Sequence, residues 1–189
     1  MIAVMAVDPG LAFIGYAVMA IHPAYLNKAS KATIADKVLL RCAGLVRTKR
    51  SPAVAKKKKR GVDDIRDRIE HIVGRLTSRW SEYRGTAAMY VWGCETWQLR
   101  GKAKGRLNNS SIQTLTVYGA LLGYSMSWPT AMFVPIHPSG HKKLAVPPAW
   151  LDATASPDPW TAKTEDHVHD ACTVGLATLL AVKKLLKTK

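Results

Sequence analysis

Acidic and imidazole side chains stand at three separate places where they could serve one reaction. Asp8 ends an apolar run, Glu95 ends another, and a third group lies in the segment Thr164-Glu-Asp-His-Val-His-Asp170. Within that segment His167 and Asp170 are three residues apart and Asp166 and Asp170 four apart, so a helix would carry all three toward one side and turn His169 elsewhere. Carboxylates crowded at one point repel one another unless a cation sits between them, and hard oxygen donors suit Mg²⁺ or Mn²⁺. Two such ions about 4 Å apart can activate a water and stabilise the leaving oxygen of a phosphodiester. The expectation is two Mg²⁺ per site, with Mn²⁺ as a substitute. Each piece alone has an ordinary meaning. Asp-Pro-Gly is most often a turn, Glu95 could be an exposed strand end, acids early in a helix answer its dipole, and His167 could be a surface or capping histidine. Only the combination points to metal-assisted chemistry.

The elements that must position these groups follow from hydropathy patterning. The apolar run IAVMAV before Asp8 and FIGYAVMAI after Pro9-Gly10 predict a hairpin with Asp8 at its mouth, and Lys37 to Val46 predicts a third strand. The intervening IHPAYLNKASKATIAD has no clear periodicity and is expected to be loop. Asp63 and Asp64 favour a helix start, and Ile65, Ile69, Ile72, Val73, Leu76 and Trp80 recur at helical spacing to about Tyr83. AAMYVWGCETW then reads as a buried strand ending at Glu95. A right-handed crossover would pair that strand parallel to the first and bring Asp8 and Glu95 to one sheet edge. Ile112, Leu115, Tyr118, Leu121, Leu122 and Met126 predict a second helix, AMFVPI a fifth strand, and about Glu165 to Leu186 a closing helix. Pro147 to Pro159 is expected to be a long irregular connection. The layout is α/β, a five-stranded mixed sheet flanked by helices, in one domain over residues 1–189.

Lys and Arg number 28 against 13 Asp and Glu, a net charge of +15 that favours polyanions and makes nucleic acid the default partner over an acidic lipid surface. Five consecutive basic residues, Lys56, Lys57, Lys58, Lys59 and Arg60, fall in a stretch from Thr48 to Arg60 expected to be a mobile basic loop. Lys183, Lys184, Lys187 and Lys189 form a basic C-terminal tail. Just beyond Glu95, Arg100, Lys102, Lys104 and Arg106 lie in a glycine-rich context suited to following a phosphate backbone. Trp97 is placed either to stack on an unpaired base or to fill a core. Cys42, Cys94 and Cys172 form no CxxC pair, which excludes a cysteine zinc site or disulfide framework. No run of about 20 apolar residues and no basic leader occurs, so a cytosolic protein with no membrane partner is expected.

MAVDPGLAFIGYAV resembles the opening of RuvC-type resolvases of the ribonuclease H-like superfamily, where Asp-Pro-Gly follows the first strand and Gly-Tyr or Gly-Trp lies on the second. VWGCETW, the helix after it, HPSGHKKLAV and HVHDACTVGLATL agree in order, so the resemblance spans nearly the whole chain. It implies that Asp8, Glu95 and Asp170 are metal-binding catalytic acids, and that His167 holds a place occupied by an acid or histidine in the family. Asp166 is a contender for that role, and Lys142 or Lys143 would contact the scissile phosphate. It further implies a homodimer whose two sites cut opposite strands of a Holliday junction. The basic loop and the segment from Pro147 to Trp160 depart from the family pattern, a divergence typical of bacteriophage copies. Forks, flaps or structured RNA as substrates, and a catalytically silent branched-DNA binder, stand as alternatives. An ATP-binding relative of the actin-like branch would need later phosphate-binding glycine loops that this sequence lacks.

Overall fold

A computed structural model of the protein describes residues 1–49, 61–83, 85–96, 109–127 and 131–188. The apolar run at the N-terminus forms β1 (Ile2–Asp8), paired antiparallel with β2 (Phe13–Ile21), which pairs antiparallel with β3 (Leu39–Arg47). β4 (Met89–Glu95) lies parallel to β1 and β5 (Ala131–Ile136) parallel to β4, giving the order β3-β2-β1-β4-β5. The expected five-stranded mixed sheet flanked by helices is present.

β1 is unbroken in its hydrophobicity because it is central and covered on both faces. Ile2, Val4 and Ala6 join one core cluster, whereas Ala3, Met5 and Val7 join the other, as the two-residue period of a strand requires. The first cluster is closed by the C-terminal helix. The second is closed by the long helix after residue 60, through Ile72, Leu76 and Trp80, and by the helix before β5, through Val117 and Leu121.

Between β2 and β3, where loop is expected, a short helix α1 (Pro23–Lys28) and a 3₁₀ turn (Ala35–Lys37) occur. α1 starts with Pro at its first position and with the His22 ring accepting from the Ala24 N–H. Its six residues are too few for hydrophobic periodicity to register. α2 (Gly61–Ser81) carries Asp63 and Asp64 in its first turn, as expected. α3 (Asn109–Met126) is a helix as expected, but Ile112, Leu115 and Met126 are exposed, and the buried positions are Val117, Leu121 and Ser125. α4 (Pro138–His141) is a single turn after β5, and α5 (Glu165–Lys187) is the closing helix. Lys183, expected in an exposed tail, is half-buried and donates to the Ala29 carbonyl at 2.6 Å. The cysteines are free; Cys94 and Cys172 are buried and Cys42 is half-buried.

The connection from Pro147 to Trp160 contains two 3₁₀ turns, Pro148–Leu151 and Ala153–Ala155. It is fixed by Asp158, whose nearly buried carboxylate accepts from the Tyr16 hydroxyl at 2.6 Å and from Arg79 Nε at 2.9 Å, and also pairs with Arg75. One acid on the connection thus meets two cations from α2 and a phenol from β2. Breaking a buried ion pair from one side leaves its partners uncompensated, although Arg75 is partly in water. Asp158→Ala should lower unfolding free energy by about 2–3 kcal/mol in a denaturant titration, with Asp158→Asn losing less because it retains an acceptor for Tyr16 and Arg79.

Candidate active site

β1 and β4 run parallel with Val7 opposite Cys94, so the next residues, Asp8 and Glu95, leave adjacent strand ends on the same side. The turn after Asp8 is held by groups from elsewhere in the chain: the Leu11 carbonyl accepts from Arg68 of α2 at 3.1 Å and from the Thr48 hydroxyl, and Thr48 N–H donates to Ala12. Thr48, expected to begin a mobile loop, is therefore anchored.

α5 brings the second half of the site. Gly15, paired opposite Asp8 on β2, faces the first turn of α5 so closely that an added Cβ would lie 1.8 Å from the His167 carbonyl oxygen. Further along, a Cβ on Gly93 of β4 would lie 2.0 Å from the Thr178 hydroxyl. Two positions without side chains let the helix settle directly on the sheet. That approach delivers His167 Nδ1 to 2.7 Å from Asp8 Oδ2, with the imidazole lying over Phe13 at 6.0 Å between ring centres.

Glu95 has a different partner. His141, at the end of α4, is completely buried; its Nδ1 lies 2.7 Å from the Thr173 hydroxyl, and its Nε2 is 3.4 Å from Glu95 Oε2 without the alignment of a hydrogen bond. Lys142, the next residue, is exposed and its ammonium field reaches Glu95.

Electrostatics couple the two halves. Burial raises the Asp8 carboxyl above its ordinary value, and repulsion from Glu95 and Asp170 adds to that, while the His167 hydrogen bond and charge oppose it. His167 is raised chiefly by its bond to Asp8, against burial, with Asp170 and Asp166 contributing. Burial also acts upward on Glu95, but the adjoining His141 and the Lys142 charge outweigh it and hold that carboxyl low. Asp170 is therefore within electrostatic range of Asp8, and Asp166 is an exposed acid whose field reaches His167. His169 sits 3.7 Å from Asp170 on the flank of the helix.

The structure thus gathers Asp8, Glu95, His167, Asp170 and Lys142 at one end of the sheet. Among the described residues no three of these donors already converge on one point; Asp8 is engaged by His167 and Glu95 faces His141. Trp97, Arg100, Lys102, Lys104 and Arg106, together with Lys56, Lys57, Lys58, Lys59 and Arg60, lie outside the described residues. His141 is the site residue that sequence reasoning passed over. Its only signal was a histidine directly before Lys142, and its burial comes from contacts with α5 that are distant in sequence.

No family model and no curated protein sequence matches the chain. Among solved structures, Thermus thermophilus RuvC in complex with a Holliday junction substrate superposes with a TM-score of 0.61 at 16% identity, over 97% of this chain and 96% of that one. The chain has the RuvC fold. A second Thermus thermophilus RuvC structure aligns at a TM-score of 0.58 and 15% identity over 96% of both chains. A yeast mitochondrial Holliday junction resolvase aligns at 0.53 and 8% identity, over 98% of this chain and 81% of that one.

The raised carboxyl at Asp8 has a measurable sign. A group that binds protons more tightly folded than unfolded contributes stability at low pH and loses it as pH rises through its folded value. At neutral pH ionised Asp8 is thus a cost to the metal-free protein. Asp8→Asn, which mimics the protonated form and retains an acceptor for His167, should raise the melting temperature of metal-free protein near neutrality. The gain should vanish on acidification below the ordinary carboxyl value of 3.8.

Proposed function

We propose that this chain is a metal-dependent, structure-selective endonuclease that acts on branched DNA, with the four-way junction as its substrate. The observation that carries this reading is the meeting of Asp8 and Glu95, from adjacent parallel strand ends, with His167 and Asp170 from the first turns of α5. Mutual repulsion among buried acids is the condition a divalent cation relieves, and the donor set of carboxylates with imidazole fits Mg²⁺ or Mn²⁺. A net charge of +15 supplies attraction for a phosphate backbone. Likeness of fold to RuvC in complex with a Holliday junction and to a yeast mitochondrial Holliday junction resolvase supports the same choice of substrate. Among the described residues no helix is long and apolar enough to cross a membrane.

In this reading Asp8, Glu95 and Asp170 would hold two divalent ions, whose chemistry there would be activation of a water and charge stabilisation at the leaving oxygen. Asp8 and Glu95 sit deep enough to exclude bulk water on their sheet side, which strengthens their hold on charge. His167, bonded to Asp8 through Nδ1, would hold that carboxylate in place and, once neutral, would leave its oxygens free to bind a cation. Asp166, more exposed and further from Asp8, is the outer acid of the group. Lys142, just past the end of α4, also acts on Glu95 with its positive charge and would meet a scissile phosphate. Two copies related by a twofold axis would present two such centres to opposite strands, the symmetry of a four-way junction.

The decisive assay compares a synthetic four-way junction, a fork, a flap, matched duplex and structured RNA with Mg²⁺, Mn²⁺ or EDTA. Paired, metal-dependent nicks near the junction centre are expected. Asp8→Asn and Glu95→Gln should reduce cutting by about 10³-fold or more while leaving junction binding within a few-fold. Preferential fork, flap or RNA cutting would change the substrate, and tight binding without cleavage by the unaltered protein would replace the nuclease with an architectural binder.

His167 gives a second expectation. Because its bond to Asp8 raises its proton affinity above the ordinary 6.5, cation binding must displace that proton. Mn²⁺ affinity measured by calorimetry should therefore climb as pH increases beyond 6.5 and level off once His167 is neutral, whereas His167→Asn should flatten that rise.

A further inference from the structure

His141 is held in a way that a purely structural histidine does not need. Its side chain is entirely out of water, yet one of its two ring nitrogens has no hydrogen-bond partner. The neighbouring bonds fix the role of one of them. Thr173 Oγ1 donates to the Asp170 carbonyl at 2.8 Å, one turn back along α5, so toward His141 that oxygen acts as acceptor. Nδ1, at 2.7 Å, is then the donor, which leaves Nε2 as the nitrogen turned toward Glu95 Oε2, at 3.4 Å and out of hydrogen-bond alignment. The two atoms are held facing each other inside the protein by packing of α4 against α5. Leaving a buried polar atom unpaired costs about 1–3 kcal/mol, which marks the position as one retained for a further occupant.

We infer that His141 Nε2 is a nitrogen donor to the divalent cation held by Glu95. Donors about 2.1 Å from one ion stand about 3.0 Å apart at a right angle and about 3.4 Å apart at the tetrahedral angle, so the observed spacing is that of two ligands of one cation. The Thr173 hydroxyl then acts as the outer partner that fixes the ring's orientation, the arrangement metal-binding histidines commonly use. Through the Asp170 carbonyl, this support is tied to the same turn of α5 that carries another acid of the site. The inference rests on the nuclease reading for the presence of a cation, and adds that imidazole nitrogen biases the site toward Mn²⁺ or Zn²⁺ over Mg²⁺, which prefers oxygen.

The test uses the full-length protein carrying isotopically labelled histidine, followed by two-bond proton–nitrogen correlation spectra during titration with Zn²⁺. His141 is identified in the unaltered protein by through-space contact of its ring with Thr173, with His141→Gln as a cross-check. In metal-free protein the spectrum should report a protonated Nδ1, and saturation with Zn²⁺ should shift the Nε2 resonance in step with one equivalent bound. By calorimetry, His141→Gln should weaken Mn²⁺ binding roughly tenfold or more while changing Mg²⁺ binding only a few-fold. Because the spectra are read on the unaltered protein, the result stands even if the variant folds poorly. Binding of Mn²⁺ and Zn²⁺ with the His141 resonances unmoved, or an Nε2 that stays protonated at saturation, would overturn this inference and leave the nuclease reading intact. Failure to bind any divalent cation would overturn both.

Discussion

Gly15 lets the backbone of α5 approach β2 until a single added methyl would meet the His167 carbonyl at 1.8 Å. The rest of the site depends on that approach. β1 and β4 can present Asp8 and Glu95 without help, since parallel pairing alone puts their last residues side by side. They cannot supply the imidazole, the third acid or the cover over the acids' flank. Those come from α5, and a helix held one side chain further off would leave His167 out of hydrogen-bond range of Asp8. Interiors packed at crystal-like density transmit such a displacement rather than absorb it, because neither backbone can yield independently.

The same contact concentrates electrostatic cost where the chemistry is proposed. Asp8 is driven upward by burial and by its acidic neighbours, and His167 works against that. Glu95 is treated oppositely, held low by His141 and Lys142. Two acids at adjacent strand ends are thereby set apart in proton affinity by which helix each faces, α5 for one and α4 for the other. Such divergence between neighbouring carboxyls is a recurrent mark of functional sites, where stability is given up locally for reactivity.

Much of this was legible in the chain itself. The two-residue alternation of β1, the turn at Pro9-Gly10, and the helical spacing of Ile72, Leu76 and Trp80 each name their element because local pattern and tertiary burial agree. The acids were legible through their positions at element ends. What escaped was set by contacts remote in sequence. α1 is too short to impose a period, α3 buries Val117 alongside the expected Leu121 and leaves Ile112 and Leu115 exposed, and His141 acquires its environment only when α5 covers it. Asp158 likewise gives no local sign of the three partners it finds on β2 and α2.

The strap that ends at Asp158 also changes what the sheet can offer to other chains. β3 is an edge strand, and an open edge is a template for strand addition. Here the Leu45 N–H donates to the Asp158 carbonyl at 3.1 Å, and the Ala43 carbonyl accepts from Ser156 at 2.5 Å, so the middle of that edge is occupied by the protein's own backbone and hydroxyl. At the opposite edge, β5 contains Pro135, which has no N–H to give. With both margins of the sheet blunted, edge-to-edge growth of a ribbon of copies is disfavoured, and any closed contact between two copies would have to form through the helical faces.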